Sequence, residues 1–187
     1  MKKIENFDEM KEKGSEDVSF QSVPAGPQIC KIIDVEDVED KEYLKIQFDV
    51  CDGDLKGVFQ EQYDKFGEWP ASGTTYRSYK HSAYAFFTAF VIAVEKSNKN
   101  FVWNWDEKEL INKKIVVNFG EEEYINDSGE TKTSMKAREI RSIVSLNEGA
   151  LKVPELKKAK KTETTKRREA PVNKVPTLEV SEDDLPF

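Results

Sequence analysis

Nine residues, YLKIQFDVC (43–51), set the first constraint on this chain. Leu44, Ile46, Phe48 and Val50 fall on one parity, and Tyr43, Lys45, Gln47 and Asp49 on the other. Successive side chains of a strand point to opposite faces, so a repeat of two marks a half-buried β-strand. The stretch before it, QICKIIDVEDV (28–38), is rich in Ile and Val and also reads as a strand, with DKE (40–42) as the turn between them. After it, DGDLKG (52–57) breaks the alternation and VFQEQYDKF (58–66) resumes it, which predicts a hairpin and a third strand. The stretch GEWPASGTTYRSYK (67–80), punctuated by Gly, Pro and Ser, is expected to be a loop.

The period then changes. Ala83, Phe86, Phe87, Phe90, Val91 and Val94 recur at spacings of three and four, which places them on one face of a helix. Ser78 and Ser82 are the candidate caps at its start, and Asn98 and Asn100 suit its end. KIVVNFGEEEY (114–124) is a strand, NDSGE (126–130) a turn, and TKTSMKAREIRSIVS (131–145) a long last strand expected to bend or bulge. The order is three strands, one helix, two strands. It fits an all-β protein with one helix: an OB-fold-like five-stranded Greek-key barrel whose helix lies between strands 3 and 4. A half-open roll would share that order.

Hydrophobic residues make up 37% of the 187 and charged ones 35%, a polar balance for a globular protein. That balance supports a core of about 120–130 residues with ends that lack one. PAGP (24–27) breaks the chain before the first strand, so 1–24 is read as an extension, 25–156 as the domain and 157–187 as a tail without a fold. Ile4, Phe7 and Met10, spaced by three, suggest a short helix in the extension. No apolar run approaches the roughly 18 residues of a membrane span, and the N-terminus lacks the apolar core of a signal peptide. No membrane association and a cytoplasmic location are therefore expected. Cys30 and Cys51 are too few and too far apart for a zinc site and read as free thiols.

Little in the sequence suggests catalysis. His81 is the single histidine, with no nucleophile near it in sequence, and no phosphate loop, HExxH or nucleophile elbow is present. The acids of DVEDVEDKE (34–42) read as a strand end and turn more readily than as a metal site. No enzyme activity, metal or cofactor is expected.

Charge is segregated along the chain. The formal net charge is −7, yet KKAKKTETTKRR (157–168) holds seven basic residues and one acid, while 179–187 holds four acids and no base. Single strands of nucleic acid are held by aromatic faces on which bases stack and by cations that follow phosphates. WPASGTTYRSYKHS (69–82) interleaves the two, with Trp69, Tyr76 and Tyr79 beside Arg77, Lys80 and His81. Lys45 on the outward side of its strand, and Lys132, Lys136 and Arg138 on one parity of the last strand, would extend a basic strip. Strand lysines also serve solubility alone. The rings of WNW (103–105) are read as core or lid packing before base stacking.

The chain closes on SEDDLPF, an apolar trio behind acids. Such an end suits docking, with Phe187 filling a partner's pocket and Asp183 and Asp184 meeting its cations. DDLPF resembles the acidic tip that closes bacterial and phage single-stranded-DNA-binding proteins. The segments VEDVEDKEYLKI, RSYK, FFTAF, WDEKEL, GEEEY and KVPELKK make 25–156 similar to small phage and mobile-element proteins of Gram-positive bacteria. The resemblance implies a protein that coats single-stranded DNA in phage replication or recombination. It also implies that Asp183, Asp184, Leu185, Pro186 and Phe187 recruit replication or recombination enzymes. Self-association through barrel edges is a further expectation. The alternative reading is a phage adaptor or decoy that uses the tip to occupy host pockets and binds no DNA.

Overall fold

A computed structural model of the protein describes residues 21–159. The expected N-terminal helix, the DDLPF tip and all but the first residues of the basic run lie outside them. Five antiparallel strands form one sheet in the order β3-β2-β1-β4-β5: β1 (Gly26–Val38), β2 (Tyr43–Val50), β3 (Thr74–Ser78), β4 (Lys114–Ile125) and β5 (Thr131–Arg141). Among the described residues three α-helices accompany it: α1 (Val58–Phe66), α2 (Tyr84–Ser97) and α3 (Ile143–Asn147). Among the described residues, no helix is long and apolar enough to cross a membrane.

β1 serves two neighbours in turn. Its first half pairs with β4 through Gly26–Lys31, its second with β2 through Cys30–Val38, and the register slips between Ile32 and Asp34. The extra residue, Ile33, is a bulge, which bends a strand and flips the parity beyond it. Inward positions accordingly run Cys30, Ile32, then Val35. β2 keeps the alternation of its sequence, burying Leu44, Ile46, Phe48 and Val50. Phe48, Phe59 of α1 and Phe119 of β4 meet at ring-centroid distances of 6.1–6.2 Å and form the centre of the core.

The segment 58–66 is a helix, not the expected third strand. Asp49, assigned by parity to the outer face of β2, is buried and explains the difference. Its carboxylate accepts hydrogen bonds from the backbone N–H of Val50 (2.8 Å), Phe59 (3.0 Å) and Gln60 (3.1 Å). It thus satisfies amides that the first turn of α1 leaves unpaired and places an anion at the positive end of the helix. Gly57 and Gly67, at φ 83° and 71°, turn the chain into and out of this helix in the left-handed region.

The third strand is TTYRS, inside the stretch expected to be a loop. Thr and Tyr suit a pleated, half-buried surface, and Thr75 is buried between its neighbours. α2 stands between β3 and β4 as expected and buries Phe87, Phe90, Ala93 and Val94, but Phe86 is 77% exposed. A 3-10 turn, His81–Ala83, precedes it, and no side chain caps its start. At its end Asn98 donates to Val94 O and Lys114 O and accepts from Lys114 N, clamping α2 to the first residue of β4.

The last strand stops at Arg141. Ser142 accepts a hydrogen bond from Ser145 N (3.2 Å) and starts α3, so SIVS belongs to a cap and helix. β5 carries the expected bulge: Phe119 faces Ala137 and Asn118 faces Glu139, leaving Arg138 as the extra residue. The chain then returns along β4. Lys157 N donates to Glu121 O (3.0 Å) and Glu123 N to Lys157 O (2.8 Å), beyond the point where β1 leaves β4. Cys30 and Cys51 are free, and burial raises both thiols above their ordinary range.

Candidate nucleic-acid interface

A trough of about 900 Å³ lies between the outer face of β2 and β3 on one side and β5 on the other. Register builds its first wall. Lys45 stands opposite Tyr76 and Gln47 opposite Thr74, all facing away from the core that Leu44, Ile46 and Thr75 enter. Tyr43 meets the Tyr76 ring edge-on at 5.4 Å and 87°, which steadies a ring that is still 55% exposed.

Trp69 supplies a second ring. Its Nε1 donates to Gly73 O (3.0 Å) and its face leans on Tyr63 of α1 at 5.9 Å. The small residue matters, because a Cβ on Gly73 would stand 2.8 Å from Trp69 Nε1 and 2.9 Å from Phe59. The 3-10 turn Ala71–Gly73 that carries this loop lies against β5.

β5 contributes Lys136 and Arg138, with Lys157 and Glu122 beside them. Lys136 and Arg138 share the parity read from the sequence, and both line the trough although the bulge falls at Arg138. Gly120, opposite Lys136, leaves room for this: an added Cβ would lie 2.8 Å from Pro154 and 2.9 Å from the stem of Arg138.

Not every charge here is available. Lys45 pairs with Glu36 at 3.1 Å, and that hydrogen bond raises its pKa. Lys157 pairs with Glu122, whose carboxyl is held below its usual range chiefly by that contact, with Arg138 and Lys136 adding to it. Among the described residues Lys136 is in no ion pair, and Arg138 Nη1 is buried without a hydrogen-bond partner. A buried, unsatisfied guanidinium nitrogen is costly, and a phosphate oxygen is the acceptor that best matches it.

The trough therefore gathers Lys45, Trp69, Tyr76, Lys136 and Arg138 from the residues singled out in the sequence. It does not gather the others. Arg77 points to the opposite face of β3, where its Nη1 donates to Tyr76 O and burial lowers its pKa. Lys80 is exposed ahead of the 3-10 turn at 81–83. Lys132 sits at the hairpin end of β5 beside Glu130 at 3.7 Å. Sequence reasoning missed Gln47 and Thr74 as parts of the wall and Tyr43 as the brace behind Tyr76. Tyr43 and Gln47 share parity with Lys45, so the signal for them was present.

Tyr79 belongs to a second, smaller cavity of about 320 Å³, where Trp103, Trp105, Asp37, Glu39 and Glu107 join it. Its hydroxyl donates to Asp37 Oδ1 at 2.8 Å, and that bond pushes its pKa up to about 12. The tryptophans of WNW meet here at 5.0 Å, tilted by 39°: Trp103 is half-buried and packs against the core, as expected, while Trp105 is exposed. Among the described residues no three His, Cys, Asp or Glu side chains converge as they would on a metal ion. Neither a known protein family nor a curated protein matches the chain.

Proposed function

We propose that the protein binds single-stranded nucleic acid, single-stranded DNA in particular, along the trough between β2–β3 and β5. The observation that carries the reading is the meeting, in one open groove, of an exposed tyrosine, a braced tryptophan and two cations, Lys136, which among the described residues is in no ion pair, and Arg138, whose Nη1 is buried without a hydrogen-bond partner. Rings accept bases of any sequence by their faces, at about 1–3 kcal/mol each, while cations follow the phosphates. Duplex bases are already stacked on one another and offer no free face to Tyr76 or Trp69. The sheet is read as a partly open OB-type roll. Its support is the bend in β1 at Ile33, which lets that strand serve two neighbours, and the packing of the 71–73 turn against β5.

By the same proposal the tip Asp183–Phe187 recruits replication or recombination enzymes in a phage setting, its acids and terminal ring suiting a basic-rimmed apolar pocket. The test is fluorescence anisotropy of the full-length protein with labelled poly-dT and with duplex DNA across a salt series. Tight, salt-weakened preference for the single strand supports the reading. Equal affinity for duplex, or none for either, overturns it, and host proteins captured through Phe187 without any DNA signal would favour an adaptor.

A further inference from the structure

The smaller cavity pairs aromatic walls with the opposite charge. Trp103 and Trp105 lie 5.0 Å apart and tilted by 39°, and Trp103 rests on Phe87 at 5.5 Å. Asp37, Glu39 and Glu107 line the same space, and among the described residues none of the three is in an ion pair. Trp105 is 79% exposed and sits at φ 62°, a left-handed conformation that a bulky residue rarely adopts. A large indole held in water at a strained position is a feature that binding would explain.

Charge decides what binds. Phosphates would meet three carboxylates and no cation, so the rings here do not serve the nucleic acid that the trough serves. A lysine or arginine side chain gains twice, from the carboxylates and from the face of a tryptophan, the best of the aromatic partners for a cation. The geometry points to a site for a Lys- and Arg-rich peptide, and its occupant is this chain's own basic run, 160–168 (KKTETTKRR). That run holds five cations against one acid. It leaves the described residues at Ala159, whose N–H donates to Glu123 Oε2 at 3.2 Å, so it is tethered to the domain that carries the cavity. A tether raises the effective concentration of a ligand enough to fill a site that would be weak for a free peptide. This inference stands apart from the trough, since it uses none of the trough's residues.

The test compares the full-length protein with a full-length variant in which Lys160, Lys161, Lys166, Arg167 and Arg168 are all replaced by Ser. The readout is acrylamide quenching of tryptophan fluorescence. Freeing Trp105 should raise the quenching constant about twofold in the variant, and synthetic KKTETTKRR peptide should reverse the rise. Adding Glu39→Gln and Glu107→Gln to the variant should abolish the peptide response, with circular dichroism confirming an unchanged fold. Equal quenching of the two proteins overturns the proposal. So does a peptide response that survives the loss of both carboxylates, or protection of Trp105 by oligo-dT in place of the peptide.

Discussion

The trough and the smaller cavity are built from the same aromatic chemistry and differ in the sign of the charge around it. In one, Tyr76 and Trp69 stand with Lys45, Lys136 and Arg138; in the other, Trp103, Trp105 and Tyr79 stand with Asp37, Glu39 and Glu107. Both lie close to β3, with Tyr76 and Tyr79 only three residues apart. Ring content therefore says that a surface is adhesive, and the neighbouring charges select phosphate or cation.

The largest expected effect tests whether the trough depends on α1 through its cap. Asp49→Ala leaves the amides of Phe59 and Gln60 without their acceptor and should cost about 2–4 kcal/mol of stability in urea denaturation. Since Trp69 rests on Tyr63 of α1, affinity for poly-dT should fall with it, whereas peptide binding at the smaller cavity should hold. A direct contrast comes next. Tyr76→Ala should weaken poly-dT binding by about 5–150-fold, the range of one lost base stack, and Trp105→Ala by less than about twofold. Equal losses in anisotropy would erase the distinction between the sites.

Gly120→Ala forces a methyl group against Pro154 and the Arg138 stem, which should cost about 1–3 kcal/mol and reduce DNA affinity through a displaced guanidinium. Arg138→Gln removes one phosphate partner, so the slope of log affinity against log salt should become shallower by about 0.7. The smallest effect belongs to the other cavity. The hydrogen bond to Asp37 raises the Tyr79 pKa to about 12, so its stabilising contribution is complete below the ordinary phenol range near pH 10. It is lost as pH rises through about 12. Phenolate absorbance should show a tyrosine titrating late, and the Asp37→Asn variant should bring it back towards the ordinary phenol range.

Several features were legible from local pattern. The alternation of 43–50 and the apolar spacing of 83–94 yielded a strand and a helix, although Phe86 turned outward. Glycine brackets at 57 and 67 would have marked α1, but Val58 and Phe59 at the head of a polar stretch fit either period. β3 went unseen because Pro70 and Gly73 immediately before it resemble loop punctuation, and its five residues are too few to display a period. Of the trough, Lys45 and Tyr76 followed from parity and composition. Lys136 and Arg138 were singled out by shared parity, although the residue at which the bulge falls was not, and Tyr79 was drawn away by Asp37, forty-two positions earlier.

Two-residue and three-to-four-residue repeats, turn chemistry and charge segregation are properties of neighbours along the chain, and they were enough to anticipate a strand-rich fold and strands such as 43–50. Which rings share a groove with which charges was settled by strand register, by the bulges at Ile33 and Arg138, and by a buried aspartate that turned a would-be strand into a helix. Those are contacts between residues distant in sequence, and a local pattern carries no record of the partner that will satisfy a buried carboxylate or stand opposite a lysine.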